Sequence, residues 1–378
     1  MTASSVDTLV IETIERLCRS EIPKYQNESF YNTVPRALFA SFGEAGVAGL
    51  AVPESFGGIG ASAATAAAVF DVISRYDMGP AIFISVHAMV CGLITRFGSK
   101  EQKESLLPRL ASGELLAGFA LTEPQAGSDA QALSTEAVQS GDGFSLKGSK
   151  IYITSAGFAD LYVVFAKTSD ASGAGISAFI VPASTKGLTI GSPEKKMGCE
   201  LSPIASLFFD GAQVPASSLL GPIHQGFKVA LSGLAGGRVN IAACANGLSR
   251  AALDTAIGHI KERKQFGKAL AEFQGLQFMV ADMHMRLEAS RLLVEKAAAD
   301  LDAPSASPAS TRLSSSAAKC FATDAAMAIT TDAVQLLGGA GYIKEYTVER
   351  YMREAKMLQI VEGANQVQRM IIARELLE

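Results

Sequence analysis

The stretch of this chain with the most chemistry is residues 121–129, which read LTEPQAGSD. Pro124 fixes its own φ and removes an N–H donor, whereas Gly127 permits a positive φ. Such a loop can turn several backbone N–H groups and the hydroxyls of Thr122 and Ser128 toward one ligand. Concave arrays of backbone donors suit phosphate or an electron-rich ring. The same composition also describes an ordinary turn between two strands.

Glu362 is the candidate for proton transfer. It follows an apolar pair and precedes Gly363 in the segment IVEGANQ at 360–366. A carboxylate held in an apolar pocket has a raised pKa, which suits removal of a proton next to a carbonyl. An exposed glutamate at a helix N-terminus would have the same local sequence.

Three further segments contain candidate binding residues, and each has a structural alternative. Arg263, in ERKQFG at 262–267, could pair with a pyrophosphate or lie at a charged helix end. The glycines of QLLGGAG at 335–341 either let a ligand approach the backbone or end a helix. Arg238, in AGGR at 235–238, could neighbour a substrate or pair with a carboxylate at a helix start.

Composition excludes several classes of protein. The 378 residues include 33 basic and 37 acidic side chains of interspersed sign, so we expect no nucleic-acid partner. The first twelve residues lack the features of a secretory signal, and no apolar run approaches the roughly 20 residues of a membrane span. These features predict a bacterial-type cytoplasmic protein (mitochondrial matrix if eukaryotic) without membrane insertion. The cysteines and histidines are scattered, which predicts no metal site.

Hydrophobic periodicity indicates three successive regions. Helical spacing at 62–76 and 84–97 is followed by a capping box at the start of 99–111. Strand-like runs then lie at 144–154, 161–167, 176–182 and 205–209. Helical spacing returns at 239–264, 273–301, 314–337 and 367–377, with a loop at 303–316. Closely spaced strands without intervening helices indicate an antiparallel barrel or sandwich, and the last four helices indicate a bundle.

These regions predict an α+β multidomain fold, because the chain is too long for one core. We expect an N-terminal helical domain at 1–118, a middle antiparallel β-barrel or sandwich domain at 119–222, and a C-terminal four-helix bundle at 223–378. GAGISA at 173–178 resembles a dinucleotide fingerprint, but it lies between two predicted strands and opens no helix. The chain also lacks a GxSxG elbow, a P-loop and an HExxH motif, which argues against hydrolases, NTPases and metalloproteases.

Five motifs in order resemble the acyl-CoA dehydrogenase family over essentially the whole chain. They are LTEPQAGSD, KGSKIYITSAG at 147–157, GGRVNIA at 236–242, ERKQFGKAL with FQGLQFMVADM at 262–283, and QLLGGAGYIKEY with VEGANQVQR at 335–369. The resemblance implies the fold of that family, FAD as cofactor, an acyl-CoA substrate, a homotetramer, and electron-transferring flavoprotein as the electron acceptor.

The resemblance also implies which residues bind. FAD contacts fall on Phe119, Leu121, Thr122, Gly127, Ser128, Tyr152, Ile153, Thr154, Phe266, Ala364, Asn365 and Gln366. The flavin of a neighbouring subunit would be reached by Arg263, Phe273, Gln274, Gln335, Leu336, Gly338 and Gly339. Acyl-CoA contacts fall on Ser128, Ala235, Gly236, Gly237, Arg238, Gly363 and Arg374.

The family mechanism implies that Glu362 removes the α-proton while the β-hydrogen leaves as hydride to flavin N5. The Glu362 backbone N–H and a ribityl hydroxyl would meet the charge that develops on the thioester oxygen. Some relatives place the base just before the arginine of the long helix. That position is Gly237 here, which cannot act as a base.

Substrate choice is indicated by GLAGGRVNIAAC at 233–244 and EKKMGC at 194–199, which are most similar to the isobutyryl-CoA branch of the family. Gly236 and Gly237 add little bulk, which is compatible with a short, branched acyl group. The alternatives are a straight short-chain (butyryl-CoA) dehydrogenase, an acyl-CoA oxidase, and an inactive member with a binding or assembly role. Two departures stand out: Tyr152 replaces a frequent Trp, and Ala364 replaces the usual Thr.

Overall fold

The computed structural model describes residues 5–170 and 173–378, and its N-terminal part is helical as predicted. The predicted segment 62–76 is α3, and Ser62 caps it by accepting from the Thr65 N–H. The capping box of α5 is confirmed, since Ser99 and Gln102 each accept from the other's backbone N–H. Its α-helices are α1 Ser5–Glu21, α2 Arg36–Glu44, α3 Ala63–Tyr76, α4 Met78–Phe97 and α5 Lys100–Ala111.

Helix α4 begins six residues earlier than predicted, because the Asp77 side chain caps it by accepting from the Gly79 N–H. At 20 residues it is long and apolar enough to cross a membrane, so the expectation that no run approaches that length was wrong. However, 83% of its most apolar window is buried inside the protein. Because α4 packs against α6 (Gly226–Glu262) and β1 (Ala117–Ala120), its composition is that of a core helix.

The middle region is a seven-stranded sheet, and it is mixed where an antiparallel one was predicted. Strands β1 and β2 both pair parallel with β4. The other pairings within this sheet are antiparallel, in the order β1-β4-β2-β3-β7-β6 with β5 beside β4. The further strands are β2 Glu136–Ser140, β3 Gly143–Thr154, β4 Leu161–Asp170, β5 Gly173–Pro182, β6 Leu188–Ile190 and β7 Ile204–Pro215.

The C-terminal region contains the four predicted long helices. A two-stranded hairpin separates α6 from α7. Helix α9 is short and was not predicted from the sequence. Helix α8 starts at Pro308, so the predicted loop at 303–316 is only five residues long. The remaining elements are β8 Lys264–Gln265, β9 Lys268–Ala269, α7 Gln274–Asp302, α8 Pro308–Leu337, α9 Val348–Leu358 and α10 Asn365–Leu377.

Helix α6 runs through the AGGR segment, which was expected to lie just before it. Glycine disfavours a helix interior by about 0.5–1 kcal/mol relative to alanine, so local propensity at Gly236 and Gly237 opposes the helix. Packing of α6 against α3, α4, α7 and α8 overrides that local preference. One glycine is required by this packing, because a Cβ on Gly247 would lie 2.0 Å from the Asp71 carbonyl oxygen of α3.

Candidate active site

Glu362 lies in a tight turn between α9 and α10, with its carboxylate directly over helix α6. A Cβ built on Gly237 would lie 2.7 Å from Glu362 Oε2, so the glycine leaves the space that this carboxylate occupies. Glu362 Oε2 is shielded from solvent and has no hydrogen-bond partner among the residues that the structure describes. An unpartnered buried carboxylate oxygen has unused capacity to accept a proton.

Burial raises the pKa of Glu362 to about 7, against the opposing effect of the Arg238 and Lys319 cations. Both cations are themselves buried, and within residues 5–170 and 173–378 Arg238 Nε finds no hydrogen-bond partner. The site therefore holds one carboxylate, with a pKa near neutral pH, that interacts with two buried positive charges. A base with a pKa near the operating pH is suited to proton abstraction.

Residues 121–128 and Tyr152 form a second cluster on the sheet. The Ile151 N–H donates to the Thr122 carbonyl, which fixes the loop beside strand β3. A bulge between Lys150 and Ile153 gives Tyr152 a φ of +57° and leaves its side chain 61% exposed. Bulges of this kind re-aim side chains next to active sites. Tyr152, Gly127 and Ser128 are all exposed, and an exposed aromatic side chain offers a surface for a flat ring.

A buried ion pair anchors this loop from below. Lys150 Nζ lies 2.7 Å from Glu123 Oε1 and donates to the Leu121 carbonyl at 3.1 Å. Burial would raise the pKa of Glu123, but donation from Lys150 and from the Thr135 and Ser134 N–H groups lowers it to about 2. Lys150 and Glu123 are almost completely shielded from solvent, so each is the other's necessary counter-charge.

A third group of predicted residues surrounds an open cavity of about 530 Å³ at the C-terminal ends of α6 and α8. Arg263 and Gly339, both predicted to bind cofactor, line it together with His259, Glu262, Leu337, Ala340 and Tyr346. The nearby hairpin carries Phe266, 93% exposed, whose ring lies edge-on to Phe273 at 6.2 Å. This cavity shares no lining residue with the cluster around Glu362.

Comparison with known proteins assigns the chain. Family models for the N-terminal, middle and C-terminal domains of acyl-CoA dehydrogenases match residues 6–114, 118–212 and 224–377. The chain belongs to the acyl-CoA dehydrogenase family. The resemblance inferred from the sequence motifs is thereby confirmed, and so is the fold class.

Individual relatives cover nearly all of both chains. Mitochondrial isobutyryl-CoA dehydrogenase of Dictyostelium discoideum is 41% identical over 93% of this chain and 84% of its own. The structure of butyryl-CoA dehydrogenase from Megasphaera elsdenii is 38% identical, with a TM-score of 0.94 and full coverage of both chains. A chain solved under the description "electron transferring flavoprotein of Acidaminococcus fermentans" is 40% identical, with a TM-score of 0.94, and covers 100% of this chain and 99% of that chain.

Acyl-CoA dehydrogenases are FAD-dependent oxidoreductases, and the residues present here fit that cofactor. The exposed Tyr152 ring, the loop at 121–128 and the open cavity beside Arg263 provide an aromatic surface, backbone donors and a guanidinium. Within the described ranges, no group of three His, Cys, Asp or Glu side chains is placed to hold a metal ion.

Several residues that were predicted to bind a ligand have side chains that lie in the protein interior or away from the Glu362 cluster. The side chains of Ile153 and Leu336 lie in the hydrophobic core. Asn365 is buried and hydrogen-bonded to Lys319 and Thr323. Arg374 is exposed beside Glu375, outside the Glu362 cluster. The side chains of Ile153, Leu336 and Asn365 are therefore occupied by contacts within the protein.

The predicted ligand contacts of the remaining residues stay expectations. Phe119 is half-buried against Phe165, and Thr154 is half-buried on β3. Gln274, Gln335, Gly338 and Gln366 are exposed near the ends of their helices, whereas Ala364 is half-buried before α10. Ala235 and Gly236 lie on α6 one turn from Arg238 or less, and Gly363 follows Glu362 with a φ of +88°.

Sequence reasoning missed Glu123, Lys150, Lys319 and Gln368. Through hydrogen bonds and an ion pair, these buried side chains hold the segments that carry the predicted residues. Lys319 lies in SSSAAKCFAT, a run of small residues on a helix whose period places it on the buried face. A charged residue in such a run was the available signal.

Replacing Gly237 by alanine should displace the base while sparing the fold. The new Cβ would meet the mobile end of Glu362, and misplacement of a catalytic group by about 1 Å can cost 10²-fold in rate. We therefore expect turnover per bound FAD to fall steeply, with an unchanged or raised melting temperature. The matched control is Gly258→Ala on the same helix, where a Cβ meets nothing within 4 Å. Equal turnover in the two variants would contradict the placement of Glu362.

Proposed function

We propose that this chain catalyses α,β-dehydrogenation of a short, branched acyl-CoA of the isobutyryl type, giving the 2-enoyl-CoA. The carrying observation is the Glu362 carboxylate, which is buried over Gly237 with Oε2 unpartnered and with its pKa raised to about 7. This arrangement suits removal of the weakly acidic proton next to a thioester carbonyl.

Glu362 accepts the α-proton at its unpartnered oxygen. Arg238 and Lys319 keep part of the Glu362 population ionised at neutral pH, since without their charges burial would raise its pKa further. The Glu362 backbone N–H is the protein donor proposed for the developing charge on the thioester oxygen. FAD, when bound, supplies the acceptor for the β-hydrogen and its two electrons.

The preference for a branched acyl group rests on the open space at Gly236. A Cβ built there meets nothing within 4 Å, and the next residue abuts Glu362. Branching at the α-carbon needs such free volume near the base. The 41% identity to isobutyryl-CoA dehydrogenase supports this substrate class. The second candidate is butyryl-CoA, favoured by full coverage of the Megasphaera enzyme at 38% identity.

A panel of isobutyryl-, 2-methylbutyryl- and butyryl-CoA tests this proposal through kcat/KM. We expect isobutyryl-CoA to lead 2-methylbutyryl-CoA, which has one methylene more, by less than about 200-fold, because one methylene in an apolar pocket is worth roughly 1–3 kcal/mol. We expect it to lead its unbranched isomer butyryl-CoA as well. A lead of butyryl-CoA would replace the branched assignment with the straight-chain one. If none of the three acyl-CoAs is turned over under anaerobic conditions, that result would contradict the proposed α,β-dehydrogenation.

We also propose that the enzyme is a homotetramer whose FAD sites are shared between subunits. Phe266 is almost fully exposed beside the cavity at Arg263. Phe278, Met285 and Leu292 form an exposed apolar stripe with a seven-residue spacing along α7. Such surfaces are typical of subunit interfaces. Electron-transferring flavoprotein is the proposed acceptor, supported by the likeness to the chain solved under the Acidaminococcus description.

We retain 1–118, 119–222 and 223–378 as proposed domain bounds. The relatives include bacterial and mitochondrial proteins. The proposed compartment is therefore the cytoplasm of a bacterium or the mitochondrial matrix of a eukaryote.

A further inference from the structure

The turn that carries Glu362 has a backbone conformation that needs outside support. Glu362 has a φ of +56° and Gly363 a φ of +88°, so two consecutive residues are left-handed. For a non-glycine residue this conformation costs roughly 1–3 kcal/mol and persists only where the surroundings hold it. The groups that hold the turn therefore determine where the Glu362 carboxylate lies.

Gln368 is the first of these groups. Its side chain is completely buried on α10, and Nε2 donates to the Glu362 carbonyl at 3.0 Å and to the Gly363 carbonyl at 2.9 Å. One amide therefore spans both left-handed residues. A Cβ built on Gly363 would lie 2.5 Å from Gln368 Nε2, so the turn and the amide are in close contact.

Lys319 is the second group, and it approaches from α8. Its ammonium is fully buried and donates to the Gly363 carbonyl and to Asn365 Oδ1, both at 2.9 Å. Asn365 in turn donates to Thr323 Oγ1 at 2.9 Å and to Asp324 Oδ1 at 2.7 Å. Because Asn365 hydrogen-bonds to Lys319, Thr323 and Asp324, it fixes the Lys319 ammonium next to the Gly363 carbonyl.

The charged and titratable groups around Glu362 come from three helices. Arg238 of α6 and Lys319 of α8 act on it directly. Behind Lys319 lie Cys320 and Asp324 of the same helix, and Arg369 of α10 pairs with Asp324. Burial lowers the pKa of Lys319 to about 8, so most of its population is charged at neutral pH.

We propose that Lys319 and Gln368 are positioning residues for the reaction, because together they hold the carbonyls of the left-handed turn that sets Glu362 over Gly237. This inference rests on the proposed function of Glu362 as base. It adds two buried residues that touch neither substrate nor cofactor and act through the base. Lys319 has a second effect, since its charge stabilises the ionised form of Glu362.

The test compares holoenzyme variants Lys319→Met and Gln368→Met, measured per bound FAD with isobutyryl- and butyryl-CoA. We expect both to lower kcat about 10- to 100-fold with little change in KM, because the base is misplaced. In the wild type, kcat/KM should fall as the pH is lowered, with a midpoint near pH 7. That midpoint should rise by about one pH unit in Lys319→Met only. It should stay unchanged in Gln368→Met, because the amide that is removed is neutral.

Thr330→Val is the matched control, because Thr330 is buried on α8 and donates only within its own helix. It should keep the wild-type kcat and pH profile. Wild-type kcat in both test variants, or the control falling equally, would overturn the proposal. If Lys319→Met gives no folded holoenzyme, Gln368→Met decides alone. Full flavin reduction in Glu362→Gln would instead overturn the proposed function, so the two failures are distinguishable.

Discussion

Replacing Glu362 by glutamine is expected to slow flavin reduction by acyl-CoA about 10²- to 10⁴-fold while FAD stays bound. The amide has the size of the carboxylic acid, so it fits over Gly237, but it cannot take the α-proton. The proposed flavin contacts at 121–128 and at Tyr152 lie on the sheet and do not involve the Glu362 side chain. Rapid mixing under anaerobic conditions, with absorbance normalised to bound FAD, measures this rate.

The control for this variant is a second buried glutamate. Glu354 on α9 is almost completely buried, and burial raises its pKa to about 8. In the described part of the chain, neither of its carboxylate oxygens has a hydrogen-bond partner. It lies near Arg350, outside the Glu362 turn. Glu354→Gln should therefore keep the wild-type rate of flavin reduction. A wild-type rate in Glu362→Gln, or an equal loss in both variants, would contradict the assignment of the base.

Replacing Lys150 by methionine should destabilise the protein by about 3–5 kcal/mol, because Glu123 is left buried without its counter-charge. The loss is local to the loop at 121–128, since Lys150 also donates to the Leu121 carbonyl. We therefore expect weaker FAD retention together with lower stability. Denaturant unfolding gives the free energy, and filtration of the holoenzyme gives the FAD retained.

Lys147→Met supplies the comparison on the same strand. Lys147 is exposed on β3, so the same chemical change there should alter the free energy of unfolding by less than about 0.5 kcal/mol. Lys150→Met with wild-type stability and full FAD content would show that the ion pair does not anchor the loop.

The order of helical and β regions could be predicted from the sequence because hydrophobic period is a local signal. The residues at which the helices begin were harder to predict. Helix α4 starts at Met78 because Asp77 caps it, and α6 runs through Gly236 and Gly237 because four helices pack around it. Local propensity does not contain that packing. The parallel pairing of β1 with β4 joins residues more than forty positions apart, so no short window could predict it.

For the site, the candidate base and the loop were accessible because their residue types carry chemistry by themselves. The residues that hold the base and the loop in place could not be predicted in this way. Lys150, Lys319 and Gln368 function through burial and through particular carbonyl partners, which only the folded chain defines. Likewise, Ile153 and Leu336 stand within binding motifs, yet their side chains belong to the core. A motif identifies a segment but not which of its side chains face the ligand.

In the proposed reaction the loop at 121–128 and Glu362 have separate roles: the loop would seat the cofactor, and Glu362 would break the C–H bond. The most direct test is an anaerobic titration of the purified yellow holoenzyme with isobutyryl-CoA, followed through the visible absorption of its flavin. We expect stoichiometric bleaching in the wild type and almost none on the same timescale in Glu362→Gln. A flavin that no short-chain acyl-CoA bleaches, or equal bleaching in both proteins, would contradict it.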